Sequence, residues 1–265
     1  MKKSFTNIKK AQKILDMNEC VAIPTETVYG LAGNAYSDKA CKKIFRLKKR
    51  PKQNPLIVHY YSTKLLKKDC KLNINFTKLF ESFCPGPITF VLNLRKESKI
   101  SKFATNQKKS LAVRFPKHSM TRSLLKRLNY PLAAPSANLS SKVSAVCSSD
   151  VIDDFGKKIK YILNGGKSSI GLESTIIDLR NKPRILRLGG LEISKIQKIL
   201  KKKIRIETNK TKKSFPGQSK LHYSPGIPIR LNATKVKNNE AYILIKKTTK
   251  QKKNYFYISK NGNLN

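Results

Sequence analysis

The chain has 265 residues, of which 39% are apolar, enough for one large domain or for a domain of intermediate size with a small companion. Lysine and arginine number 57 against 15 aspartates and glutamates, a formal charge of +42, which fits a polyanionic partner such as RNA and equally a lysine- and asparagine-heavy composition spread over every segment. No run of 18 or more apolar residues is present, the basic N-terminus lacks the apolar core of a secretory signal, and Cys20, Cys41, Cys70, Cys84 and Cys147 form no C-x-x-C pair; a membrane span, a disulfide framework and structural zinc are thereby excluded, and a cytoplasmic location is expected.

Ile8, Ala11, Ile14 and Leu15 have helical spacing and predict a helix over 5–17. Val21 to Ile23 reads as a short strand running into a Pro24-Thr25-Glu26-Thr27 turn. Ser37 or Asp38 can cap a helix reaching Lys48, with Ala40, Ile44 and Leu47 inward and Pro51 as its stop. Residues 56–60 predict a strand, 76–83 a helix, and Cys84-Pro85-Gly86-Pro87 a break. Strands follow at 88–92 and 111–115, a helix at 119–128, and Leu132-Ala133-Ala134 leads into a Pro135-Ser136-Ala137-Asn138 loop. Strands at 161–163, 174–179 and 184–188 complete the set, and the alternation implies an α/β or α+β layered architecture. A short helix carries Ile196, Ile199 and Leu200, and the basic stretch 201–214 reads as linker. A further strand is predicted at 241–245.

Gly165-Gly166-Lys167-Ser168 resembles the end of a P-loop, but the required earlier glycine is replaced by Tyr161, so a strand-ending loop is the better reading. No G-x-S-x-G elbow is present, and His59, His118 and His222 lack metal-ligand spacing. What remains is a set of hydroxyls, amides and cations at successive strand ends. Thr25 and Thr27 flank Glu26. Lys48 and Arg50 emerge at a helix end, a point charge and a planar fork suited to phosphate. Ser110 and Arg114 are four apart on one strand and share a side. Ser136, Asn138, Ser174, Thr175 and Arg187 lie in or beside further strand ends. Such a site acts by positioning and charge stabilisation on phosphoryl oxygens, without a covalent nucleophile.

PTETVYGL, KKRPKQNPLIVH, CPGPITFVL, SLAVRFP, APSANLS, GLESTIID and ILRLGG occur in that order over residues 7–193. Together they resemble the YrdC family of threonylcarbamoyl-AMP synthases. The resemblance implies a twisted mixed α/β sheet around a basic concave cavity. It implies that L-threonine, bicarbonate or CO2, and ATP yield L-threonylcarbamoyladenylate and pyrophosphate, and that the product passes to the tRNA threonylcarbamoyl transferase machinery. Thr27, His59, Arg114 and Ser174, with backbone at Ala134, resemble the family's threonine-binding set. Arg50, Asn54, Ser110, Ser136, Ser144 and Arg187 match positions that hold ATP, and Tyr223 matches a residue that closes over the nucleotide. Lys48 and Arg50 would neutralise developing charge, and Mg²⁺ would bind through ATP phosphates rather than through protein side chains.

The resemblance also implies a domain plan: a catalytic domain over 7–193, a basic linker over 194–224 that crosses the site, and a shortened α/β C-terminal domain over 225–265, poorly ordered or packed on the first. Two other readings compete. One is an RNA-binding module on the same basic concavity, without catalysis; weak RNA binding is also compatible with the enzyme reading. The other is a carbamoyl-transfer domain of the hydrogenase-maturation type, against which the lack of acylphosphatase-like and zinc-finger segments argues.

Overall fold

The computed structural model describes residues 7–207, 227–248 and 252–263. The chain divides into two compact units, 1–225 and 226–265. In the first, α1 (Ile8–Asp16), capped by the Asn7 side chain, leads to β1 (Val21–Ile23), β2 (Gly30–Asn34) and α2 (Asp38–Lys48). Then come β3 (Ile57–His59), α3 (Thr63–Asp69), β4 (Cys70–Lys71), α4 (Ile74–Phe83), β5 (Ile88–Leu94), α5 (Lys102–Thr105) and β6 (Ser110–Arg114). The unit continues with α6 (Ser119–Arg127), β7 (Leu132–Ala133), α7 (Ser148–Phe155), β8 (Tyr161–Ile162), β9 (Thr175–Asp178), β10 (Arg184–Arg187), α8 (Ile193–Leu200) and β11 (Arg205–Ile206).

Among the described residues these strands form one mixed sheet of 11 strands, in the order β11-β10-β9-β5-β6-β3-β7-β2-β1-β8, with β4 paired to β5 beside that path. Parallel pairs (β3 with β6, β5 with β9, β1 with β8, β10 with β11) mix with antiparallel ones. The expected mixed α/β sheet is therefore present. Side chains alternate across it with the period of two that a strand imposes. Val58, Phe90, Leu92, Leu111, Val113, Ile177 and Ile185 enter the main core, which is covered by α2, α4 and α8. Their neighbours Ile57, Val91, Ala112, Ile176 and Leu186 form a small separate cluster on the opposite face. That second face, only thinly covered with apolar groups, carries the site. A third cluster packs α1 and α6 against β1, β2 and β8.

The structure departs from the sequence expectations in four places. Gly30 to Asn34, for which no element was expected, is β2, returning antiparallel on β1 with Ile23 opposite Gly30. Helix α2 stops before Pro51, because Lys49 adopts a left-handed conformation (φ 49°) and closes its N–H onto Phe45 and Arg46 carbonyls. Helices α3, α5 and α7 and strand β4 carry too few periodic apolar positions to be read from the chain. The short helix expected around Ile196 and Leu200 is α8, with both residues in the main core, but the basic stretch expected as linker from 201 opens with β11, which extends the sheet beside β10.

The second unit contains β12 (Tyr242–Lys246) and β13 (Tyr255–Ser259), paired in parallel, with the Tyr242 and Tyr255 rings edge to face at 5.2 Å. Arg230 bonds Glu240 at 2.6 Å. No apolar side chain in its described part is buried; Ile243, Ile245, Phe256 and Ile258 are all exposed.

Candidate active site

A cavity opens on the thinly covered face of the sheet, lined mainly by polar and cationic side chains. Sheet register builds its floor. His59 on β3 lies opposite Arg114 on β6, Arg114 opposite Thr89 on β5, Thr89 opposite Ile176 on β9, and Ile176 opposite Arg187 on β10. Directly paired residues share a face, so one row across five strands delivers an imidazole, two guanidiniums and a hydroxyl to one side. The last position depends on a bulge. Leu186 is the extra residue between Ile185 and Arg187; a regular ladder would put Leu186 opposite Ile176 and turn Arg187 to the core face.

Loops complete the walls. Thr25 Oγ1 donates to Val28 O at 2.6 Å and accepts from the Thr27 and Val28 amides, so its hydroxyl shapes the Pro24–Val28 turn. The Ile170 and Gly171 amides bond Glu26 O and Thr27 O, tying the GLEST loop to this turn. Gly189 permits the closest approach at the site: a Cβ there would lie 2.3 Å from Glu173 O and 2.4 Å from the Ser174 carbonyl carbon. The Ala134–Ala137 segment is stitched to β2 and β3 by Ala134 N to Ile57 O, Leu31 N to Pro135 O and Ala137 N to Tyr29 O. The Tyr29 hydroxyl donates to Gly166 O at 2.7 Å and accepts from Gly165 N, so the glycine pair that resembled a P-loop is a loop tethered behind Tyr29 and off the cavity lining.

Of the side chains singled out in the sequence, Lys48, Arg50, Asn54, His59, Arg114, Ser136, Ser174 and Arg187 line this one cavity, with Ala134. Three do not. Thr27 is fully buried behind Thr25, its Oγ1 2.9 Å from Thr25 Oγ1; it is Thr25 that lines the cavity. Ser110 is on the correct face but at the far end of β6, opposite Asn93 and roughly 13 Å along the strand from Arg114. Ser144 stands one residue behind the wall and donates to Glu173 Oε1 at 2.5 Å. Tyr223 lies outside the described residues.

The cations are held in distinct ways. Lys48 is buried, and its ammonium donates to Ser136 O at 2.6 Å, to Asn138 O, and to Asn138 Oδ1 at 3.4 Å. Three protons meet three acceptors, so this lysine fixes the Ser136–Asn138 loop instead of standing free for phosphate. Burial, and then Arg50, hold its pKa well below the usual lysine range. Arg50 donates through Nε to Asn54 O at 2.9 Å and through Nη2 to Pro55 O at 3.0 Å; burial and then Arg187 push its pKa down to about 9. Arg187 grips Ser174 O with Nε and Nη2, at 3.1 and 2.8 Å, and its pKa is pushed down to about 10 by burial, with Glu173 opposing. Ser174 Oγ in turn lies 2.7 Å from Thr89 Oγ1.

Two acidic residues inside quoted motifs prove to belong to the site. Glu26 bonds Arg114 Nη2 at 2.8 Å and the Lys117 amide at 2.9 Å. Burial raises its pKa, but Arg114 and these hydrogen bonds win, and the net direction is down. Glu173 lines the cavity itself. In a chain with 15 acids against 57 bases, carboxylates retained within two motifs were the available signal. Buried polar atoms without a protein partner also collect here: Asn54 Oδ1, His59 Nδ1, Arg114 Nε, Ser140 Oγ and Glu173 Oε2. Such atoms are rare in folded proteins, and their convergence makes this cavity the candidate binding site.

The family model of Sua5, YciO and YrdC, described as "Telomere recombination", matches residues 13–189. The chain belongs to this family. Its relatives in the family include a threonylcarbamoyl-AMP synthase of Pyrococcus abyssi, 39% identical over 84% of this chain and 66% of that protein. Another, from Bacillus subtilis, is 35% identical over the same shares of the two chains. A crystal structure of P. abyssi Sua5 complexed with L-threonine superposes with a TM-score of 0.78 at 39% identity, covering 82% of this chain and 65% of that one. The chain thus spans just under two thirds of the length of these family members. Among the described residues, no helix is long and apolar enough to cross a membrane.

Proposed function

We propose that the chain is an L-threonylcarbamoyladenylate synthase, a nucleotidyltransferase that makes threonylcarbamoyl-AMP and pyrophosphate from L-threonine, bicarbonate or CO2, and ATP. The product would serve threonylcarbamoyladenosine modification of tRNA in the cytoplasm, through a transferase that accepts the adenylate. The single observation that carries this reading is the row His59–Arg114–Thr89–Ile176–Arg187. It sets two arginines on one cavity floor, which supports one serving a carboxylate and the other phosphate. The L-threonine complex of the P. abyssi relative supports the amino acid as one ligand.

Arg114 takes the amino acid's carboxylate: its Nη2 is steadied by Glu26 while its Nε has no protein partner. His59, Thr25 and Ser174 surround the rest of that ligand. Burial, and then Arg114, push the His59 pKa down to about 3, so its ring is neutral and can hydrogen-bond the threonine hydroxyl. Arg50 and Arg187 face the nucleotide phosphates with Asn54 and Ser136, and their fixed guanidiniums neutralise charge as pyrophosphate departs. Lys48 positions the Ser136 loop and adds its field. The threonine amine captures CO2 to give a carbamate, and a carbamate oxygen attacks the α-phosphorus. Among the described residues no group of three His, Cys, Asp or Glu could hold a metal. Mg²⁺ would enter on the ATP phosphates, where it would neutralise phosphate charge.

The test is incubation of the purified chain with ATP, bicarbonate and L-threonine, with pyrophosphate release as readout. Release that requires threonine is expected; threonine-independent release, or none, overturns the reading.

A further inference from the structure

Glu173 is the one acidic side chain among the described residues lining a cavity that also presents Lys48, Arg50, Arg114, Lys142 and Arg187. It is 7% exposed. Ser144 Oγ pins one oxygen, Oε1, at 2.5 Å, and the other, Oε2, is buried without a protein partner. Its backbone is held as firmly, since Glu173 O accepts from Gly190 N at 2.8 Å and Gly189 packs against the same peptide. An anionic oxygen fixed among cations does not serve phosphate or carboxylate, which it would repel. It serves a cationic, proton-bearing group of a ligand. Ser144 from its loop bonds it, Arg187 from β10 and Lys48 from α2 lie within its electrostatic reach, and Arg50, Arg114, His59 and Lys142 are on the same lining; none of these is an acid.

We infer that Glu173 Oε2 is the general base of the carbamate-forming step, an inference that rests on the function proposed above. The free amine of L-threonine uses its lone pair to form an N–C bond to carbon dioxide, and one C=O π pair moves onto oxygen. The nitrogen then bears a positive charge and an acidic proton, and the adduct reverts to amine and CO2 unless that proton is removed. Glu173 Oε2 takes it. The N–H bond breaks, its electron pair stays on nitrogen, an O–H bond forms, and a carbamate anion with a neutral N–H remains. Glu173 then releases the proton to solvent water. The surrounding cations hold the carbamate oxygens while this happens.

The decisive experiment splits the reaction. Glu173→Gln keeps the side-chain shape and an acceptor for Ser144 but cannot take the proton. Forward synthesis from L-threonine, CO2 and ATP should fall by about 100-fold or more, the range of general-base contributions. The reverse phosphoryl step, ATP formation from threonylcarbamoyl-AMP and pyrophosphate, does not need that base and should stay within about threefold of wild type. Equal loss in both directions, an unchanged forward rate, or a raised Mg²⁺ requirement in both directions overturns the proposal. If the glutamine variant does not fold, Ser144→Ala decides, since freeing Oε1 should slow the forward direction more than the reverse, and equal effects overturn it. A wild-type chain without threonine-dependent pyrophosphate release fails earlier, at the proposed function itself.

Discussion

Glu26 Oε1 accepts a 2.8 Å hydrogen bond from Arg114 Nη2, and their side chains are only 8% and 5% exposed. The pair fixes the guanidinium plane at the cavity floor, so the arginine's shape matters as well as its charge. Arg114→Lys retains a cation for Glu26 but loses the planar fork. We expect the KM for L-threonine to rise by at least about tenfold while ATP affinity stays within about threefold. Steady-state kinetics and calorimetry check this, and equal loss of both ligands would show the role to be wrong. Arg114→Ala is a poorer probe, because an unpaired buried Glu26 costs about 3–5 kcal/mol.

His59 gives a pH prediction. Its folded pKa, about 3, lies below the unfolded value near 6.5, so the unfolded chain binds the extra proton between them. Its contribution is intact above pH 6.5 and is lost as pH falls. At pH 5.5 the loss is about 1.4 kcal/mol. In denaturant unfolding at pH 7.5 and 5.5, wild type should lose about that much more stability than His59→Gln. Parallel losses in the two proteins would contradict the buried, neutral ring.

Gly189→Ala adds a methyl 2.3 Å from Glu173 O. Backbone cannot yield there without displacing Glu173 and Ser174 together. A destabilisation of about 1–3 kcal/mol is expected in chemical denaturation, along with a lower forward rate. A fully stable, fully active variant would mean that the two strand ends are not so close.

Lys48→Met removes the donor for Ser136 O and Asn138 O but also removes a buried charge. Each carbonyl left unpaired costs about 1–3 kcal/mol, offset in part by relief of desolvation. Net stability should therefore change less than loop order. Hydrogen exchange in a peptide over 134–142 should quicken, with weaker ATP binding. Unaltered exchange would place the lysine's function elsewhere.

Much of the sheet was legible because its central strands are short apolar runs ended by Pro, Gly or Ser, as at Ile88 and Leu111. Lys48, Arg50, His59, Arg114, Ser174 and Arg187 were legible as members of one site because each sits at a strand or helix end. What escaped was decided by contacts distant in sequence. Thr25 and Thr27 look equivalent on paper; only the turn's hydrogen bonding puts one at the cavity and the other behind it. Ser110 shares a face with Arg114, yet strand rise carries it away. Glu26 and Glu173 were printed in the motifs, but a carboxylate declares its role only when its partner, Arg114 or Ser144, is known from another part of the chain. Strand β11 has just Arg205 and Ile206, too little pattern to separate from a basic linker.

The bulge at Leu186 has a consequence for heredity as well as for geometry. Arg187 reaches the cavity because of how many residues precede it on β10, whatever their identity. Ironing out the bulge at constant chain length would set Leu186 opposite Ile176 and turn the guanidinium toward the core even though every functional side chain survived, whereas deleting Leu186 would leave Arg187 opposite Ile176. In comparing related chains, an alignment that slides this segment by one position exchanges a leucine for the arginine that holds Ser174.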